Sequence, residues 1–364
     1  MERVVDRCNE GEEMRQRDRS LDFIKVIATI LIVLHHYQQV MGVQFKNFNF
    51  FGGRFYFGNL VELFFIISGI CAYRWIYSIN DESSFIKFYL KRIRRLLPIM
   101  IISIIMDAVI WETFKNIYNV TVGMDKINLK NIVISCLGLQ AGWGFENPMI
   151  NNPIWYISVL LLCYIIFYII TKISKKIKIS PFWLYGAMIA VGVSIITFHM
   201  QYPLLNEYTY RGYICFFTGI FMGSILKNKK ELISKLSLLA IVPLIIGLVA
   251  YLKNFYGYYM IAFIIWPSLI ILLQSNIFNE ITKQPLWSKA AKISYDVYVW
   301  HCPLLHLLLG IVMVNKINIY NTGPFMILTV VLTVIVGCIS YWYLEKPIQN
   351  GIEALRIKEK SLKG

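Results

Sequence analysis

Charge is scarce in this sequence. Only 16% of its 364 residues are charged, against 57% that are hydrophobic, and the mean hydropathy is +0.57. That is less charge than the water-facing surface of a soluble chain of this length carries, which argues against a soluble globular fold. Cysteine pairing signals are also missing. The seven cysteines, Cys8, Cys71, Cys136, Cys163, Cys215, Cys302 and Cys338, are scattered with no Cys-x-x-Cys pair, so neither a disulfide framework nor a metal site is expected. No repeat of fixed period occurs, and no small-residue cleavage pattern follows the first apolar run, which reads as an uncleaved span. No connecting segment is long enough to fold as a soluble domain.

Long apolar runs are what the chain has instead. A helix needs roughly 20 apolar residues to cross about 30 Å of hydrocarbon. Ten stretches approach that length: 21–41, 58–79, 95–114, 153–171, 182–200, 211–227, 236–253, 257–275, 292–313 and 324–344. The segment 131–145 is shorter and reads as an interfacial or re-entrant piece. The expectation is an all-α polytopic helix bundle at residues 21–345, between a polar tail at 1–20 and a basic tail at 346–364.

The formal net charge of +15 is distributed as topology, not as a nucleic-acid footprint, because the cations alternate from loop to loop between apolar runs. Arg3, Arg7, Arg15, Arg17 and Arg19 precede the first run. Further clusters follow at 87–95, 172–178, 227–235, 283–289 and 346–363, while the intervening loops are nearly bare. This alternation predicts a multi-pass protein of the cell membrane with both termini cytoplasmic.

An ionisable side chain inside hydrocarbon is costly and marks function by default. Lys25 and His36 are eleven residues apart, hence about 20° apart around a helix and about 16 Å apart along it. One stripe, with Asp22 a turn from Lys25, then links the two sides of the membrane. The plainer alternative is a snorkelling lysine and a packed histidine. In the second run, Glu62 falls in the outer half and Arg74 at the inner end, with Ser68 and Gly69 between them allowing close helix approach. Lys91, Arg92, Arg94 and Arg95 precede Pro98 at the cytoplasmic start of the third run. Guanidinium groups bind phosphates bidentately, although an ordinary positive anchor reads the same way. His301 falls near the middle of the ninth run, with Asp296 and His306 on the opposite face. The loop LGLQAGWGFENPMINNP suits an irregular binding surface.

Several segments, in order, resemble the acyltransferase-3 family of integral-membrane O-acyltransferases, which includes enzymes that acetylate surface polysaccharides. They are LDFIKVIATILIVLHH, VELFFIISG, RIRRLLP, NNPIWYISVLLLCYIIFY, SYDVYVWHCP and YLEKP, together spanning residues 20–350. The resemblance implies a catalytic histidine at His36, with Lys25 where the family usually has arginine. It also implies an Arg-x-x-Arg element on the acyl-CoA side at Arg92 and Arg95. Many polysaccharide acetylases carry a glutamate after the tryptophan of the fourth run, where this chain has Leu160 or an apolar neighbour, which leaves the acceptor subclass open.

The expected reaction moves an acyl group, acetyl in the first instance, from cytoplasmic acyl-CoA to a hydroxyl of an extracytoplasmic glycan. His36 is the expected base, polarised by Glu62. Lys25, Arg74, Lys91, Arg92, Arg94 and Arg95 would bind the donor. Ser68, Trp143, Asn147, Asn151, Asn152, Trp155 and His301 would line the acceptor path. Acyl-CoA enters as co-substrate, with no permanently bound cofactor. The competing readings are a transporter or flippase, which would show paired interrupted helices, and a membrane sensor that binds without turnover.

Overall fold

The computed structural model describes residues 19–46, 48–80, 82–123, 127–144, 150–318 and 323–361. Arg3, Arg7, Arg15, Arg17, Cys8, Lys126, Asn147 and Lys363 lie outside them.

Each of the ten apolar stretches falls on helix. The elements are α1 (Arg19–Met41), α2 (Leu60–Tyr73), α3 (Phe85–Tyr118), α4 (Leu129–Cys136), α5 (Trp155–Lys176), α6 (Pro181–Thr197), α7 (Glu207–Asn228), α8 (Ile241–Leu252), α9 (Trp266–Leu272), α10 (Pro285–Val314), α11 (Gly323–Ser340) and α12 (Lys346–Ser361). A π-helical stretch, Met260–Ile265, leads into α9, and another, Tyr341–Glu345, joins α11 to α12. Among the described residues, four helical stretches are long and apolar enough to cross a membrane, Arg19–Met41, Asn152–Lys176, Pro285–Val314 and Gly323–Leu355, and four shorter apolar helices accompany them.

Two boundaries differ from the sequence reading. Helix α2 stops at Tyr73, six residues early, because Lys175 of α5 reaches the carbonyls of Ile76 (2.6 Å) and Ile79 (2.5 Å) and holds that segment as turns. Helix α3 begins ten residues early, where the Ser84 hydroxyl accepts from the Lys87 backbone N–H. This N-cap lets the basic segment wind as helix although it is too polar for hydrocarbon. The 131–145 stretch resolves into the short α4, capped by Asn128 accepting from Asn131 N–H at 2.8 Å.

Helices α3 and α10 contain internal prolines, Pro98 and Pro303. Neither helix is interrupted by them.

The tightest helix pair is α2 on α7. Gly69 meets α7 so closely that an added Cβ would overlap the Phe216 carbonyl oxygen and lie 2.9 Å from Gly219 Cα. Gly219 meets the Ile66 carbonyl in the same way. Backbone therefore touches backbone, as small residues permit in apolar bundles. Gly69→Leu should wedge the pair apart and cost about 1–3 kcal/mol, read as a lowered Tm in detergent. Gly186→Ala, where nothing lies within 4 Å of the added carbon, should leave Tm within error or raise it.

Candidate active site

Helices α1 and α10 bring three imidazoles together. The His36 ring is 5.0 Å from the His301 ring and 5.0 Å from that of His35. His36 Nδ1 lies 2.8 Å from Gln39 Oε1. An amide oxygen only accepts, so Nδ1 carries the proton and Nε2 keeps its lone pair. His35 is buried and directs Nδ1 at the Phe50 carbonyl, 2.9 Å away, under the rings of Phe51 and Tyr56. His301 is fully buried, its Nδ1 bonded to the Tyr298 carbonyl, and its Nε2 has no partner. His36 is the half-buried member of the three. Lys25 lies on the same unbroken helix, half-buried, which keeps the two groups on one face about 16 Å apart.

Glu62 does not meet His36. Both its carboxylate oxygens are taken by Arg211 of α7, at 2.5 Å to Nε and 2.9 Å to an Nη nitrogen. Arg211 also donates to the Gly58 carbonyl at 3.0 Å and lies 4.6 Å over the Trp155 ring. A buried carboxylate needs a compensating charge, and a bidentate guanidinium provides it better than a neutral imidazole. Trp155 thereby packs against Arg211. Arg211 stands at the first position of the 211–227 stretch; an Asn206–Thr209 capping box starts α7 before it and carries it into the bundle.

The basic cluster divides. Arg92 turns inward, its guanidinium 3.5 Å from the Phe88 ring centre and 3.8 Å from that of Trp75, and donates to the Phe88 carbonyl at 2.6 Å. Burial lowers its pKa to about 10, which leaves it charged at neutral pH. The Arg92 guanidinium is thus held by cation–π contacts on the inner side of the helix. Lys91, Arg94 and Arg95 remain exposed, as does Arg74 just past α2.

The loop before α5 is pinned by a network that the sequence reading overlooked. Asp107 of α3 contacts His306 Nδ1 through Oδ1 at 2.7 Å and accepts the Asn151 backbone N–H on Oδ2 at 2.9 Å. Trp111 Nε1 lies 2.9 Å from the same imidazole nitrogen. The shorter contact to a charged acceptor assigns the Nδ1 proton to the Asp107 bond. Asn151, held at φ 44°, donates its amide to Ser103 Oγ and to the Val299 carbonyl, each at 3.0 Å. It is a fully buried anchor, not an acceptor contact. Asn152 is half-buried, and its carbonyl faces Gln140 Nε2 at 3.5 Å. Trp143 is half-buried, with its indole N–H enclosed and unpartnered. Ser68 bonds the Tyr156 hydroxyl at 3.1 Å. Asp296 accepts from Ser340 Oγ at 2.6 Å and does not serve His301.

Because Glu62 is fully buried, Arg211→Met strands an uncompensated charge and should cost about 3–5 kcal/mol. Adding Glu62→Gln to that variant should recover much of the lost Tm, a non-additivity that a double-mutant cycle in detergent measures.

Against known proteins, a family model described as an acyltransferase domain matches residues 18–342. A protein of Staphylococcus aureus strain COL, named by inference an O-acetyltransferase, is 23% identical over 92% of this chain and 58% of its own length. The O-acetyltransferase OatA of Staphylococcus aureus strain NCTC 8325 is 22% identical over 91% of this chain and 57% of its own. The chain thus spans somewhat more than half the length of these curated relatives. No solved structure matches it. With the family model covering nearly the whole helical bundle, the chain belongs to the acyltransferase-3 family.

Proposed function

We propose that this protein transfers an acyl group, acetyl in the first instance, from acyl-CoA at its basic end to a hydroxyl of a surface or lipid-linked glycan presented from the opposite side. The observation that carries the reading is the half-buried His36, whose Nδ1–H is fixed on Gln39 and whose ring rests on the buried His301. That arrangement leaves one basic nitrogen directed away from its anchor, as a general base for a hydroxyl requires. The O-acetyltransferase names of the relatives support the reaction class.

On this reading Lys91, Arg94 and Arg95 meet the phosphates of the donor, and Lys25 carries positive charge into the bundle along the face that leads to His36. Arg92 holds the start of α3 in place beneath Trp75. His301 supports the His36 ring. Glu62 acts only through Arg211, by fixing α2 against α7.

In purified, folded protein, His36→Ala should lower acyl transfer by at least about 100-fold, with little change in Tm. Full activity in that variant, followed as free CoA release with a glycan acceptor, would sink the assignment of the base. Exchanging Arg94 and Arg95 together for Gln should raise KM for acetyl-CoA about tenfold while leaving kcat close to wild type. A fall in kcat alone would place those cations elsewhere in the cycle. Glycan movement without any acyl-CoA dependence would favour a transporter instead.

A further inference from the structure

Cys302 lies one turn before His306 on α10, with its sulfur 3.8 Å from His306 Nε2. With the Nδ1 proton on the Asp107 bond, the neutral form of the ring has its Nε2 lone pair facing the thiol. Thiol, imidazole and carboxylate therefore stand in line, as nucleophile, base and orienter do in enzymes that form covalent intermediates. The orienter is itself fixed. Asp107 holds the Asn151 backbone N–H on its second oxygen, and Asn151 is tied to Ser103 and Val299.

A further buried group of α10 lies beside this line. The adjoining residue, His301, keeps a fully buried Nε2 with no partner, and its ring rests on His36. The three free cysteines of α2, α4 and α11, Cys71, Cys136 and Cys338, are half-buried, and among the described residues none of them makes an imidazole contact of this kind.

We propose that Cys302 carries the acyl group between donor and acceptor as a thioester, with His306 as its base and Asp107 as the positioning residue. This rests on the acyl-CoA reading above. In the first half-reaction His306 Nε2 takes the thiol proton and the sulfur adds to the carbonyl carbon of acyl-CoA. The bond from that carbon to the CoA sulfur then breaks, and His306 returns the proton to it, releasing CoA as a free thiol. In the second half-reaction the acceptor oxygen attacks the acyl carbon while His36 takes the hydroxyl proton. The Cys302 sulfur departs and is reprotonated through the imidazoles, which restores the starting state. No oxidant or further reactant is needed, since one thioester is exchanged for another and then for an ester.

The test uses the full chain in detergent with acetyl-CoA labelled in the acetyl group and no acceptor. The expected result is a stoichiometric release of CoA and label bound to denatured protein, removed by neutral hydroxylamine and located at Cys302 by peptide mass spectrometry. Cys302→Ala and Cys302→Ser should both lose the label and at least about 100-fold of transfer activity, while Cys338→Ala keeps both. Asp107→Asn should slow label formation more than the acceptor step, a split that a merely structural role would not produce. With acceptor present, double-reciprocal plots should be parallel, the pattern of a substituted enzyme. Wild-type transfer without trapped label, together with full activity in a folded Cys302→Ser variant, would overturn the thioester and leave the acyl-CoA reading standing. No consumption of acetyl-CoA by the wild type with any acceptor would remove both.

Discussion

Polar groups inside this bundle must find their partners inside it, because neither lipid nor the apolar faces of other helices supplies any. That constraint selects the contacts on which everything else rests. Asp107 satisfies a histidine of α10 and a backbone N–H of the loop before α5. Asn151 completes the arrangement through Ser103 and Val299. A single carboxylate thus joins two long helices and a loop whose own backbone is in a left-handed conformation. Glu62 and Arg211 do the same for α2 and α7, where the backbones are already in contact through Gly69 and Gly219. With those crossings fixed, α1 and α10 bring His36 and His301 to 5.0 Å.

The division of the basic segment at the start of α3 follows from the same constraint. Four cations within five residues cannot all share one environment on a helix, since successive side chains point about 100° apart. Arg92 falls on the inward side, where two aromatic rings replace part of its hydration. Its neighbours stay in water. Positive charge is therefore retained at that end of the bundle in two forms: one cation packed between aromatic rings, and three that are exposed.

Much of the architecture was legible in the sequence because apolar length is a one-dimensional signal. All ten stretches are helical, and Gly69 was readable as a point of close approach. His36 stood out for the same reason, an imidazole within an apolar run. His301 stood out likewise, but its contact with His36 did not, because a contact between residues 265 positions apart in the chain depends on how α1 crosses α10. Asp107 could have been found: an acidic residue inside IISIIMDAVIW is a signal of the same kind as His36. Arg211 was hidden by the weak hydropathy of its segment, where Tyr208, Thr209 and Tyr210 dilute the apolar pattern. The pairing of Glu62 was lost with it. Which of Arg92, Arg94 and Arg95 turns inward depends on Trp75 and Phe88, and nothing in the local spacing marks those rings as its partners.

The prolines within α3 and α10 have a consequence for how the bundle is assembled. A proline has no N–H to give to the carbonyl four residues earlier, so Pro98 leaves the Arg94 oxygen open and Pro303 that of Val299. Each of these oxygens has a visitor: Gln349 donates to the first at 3.0 Å and Asn151 to the second at 3.0 Å. The ring that weakens each helix from within thereby makes a keyhole in its side, and in both cases an amide from a distant stretch of chain is the key.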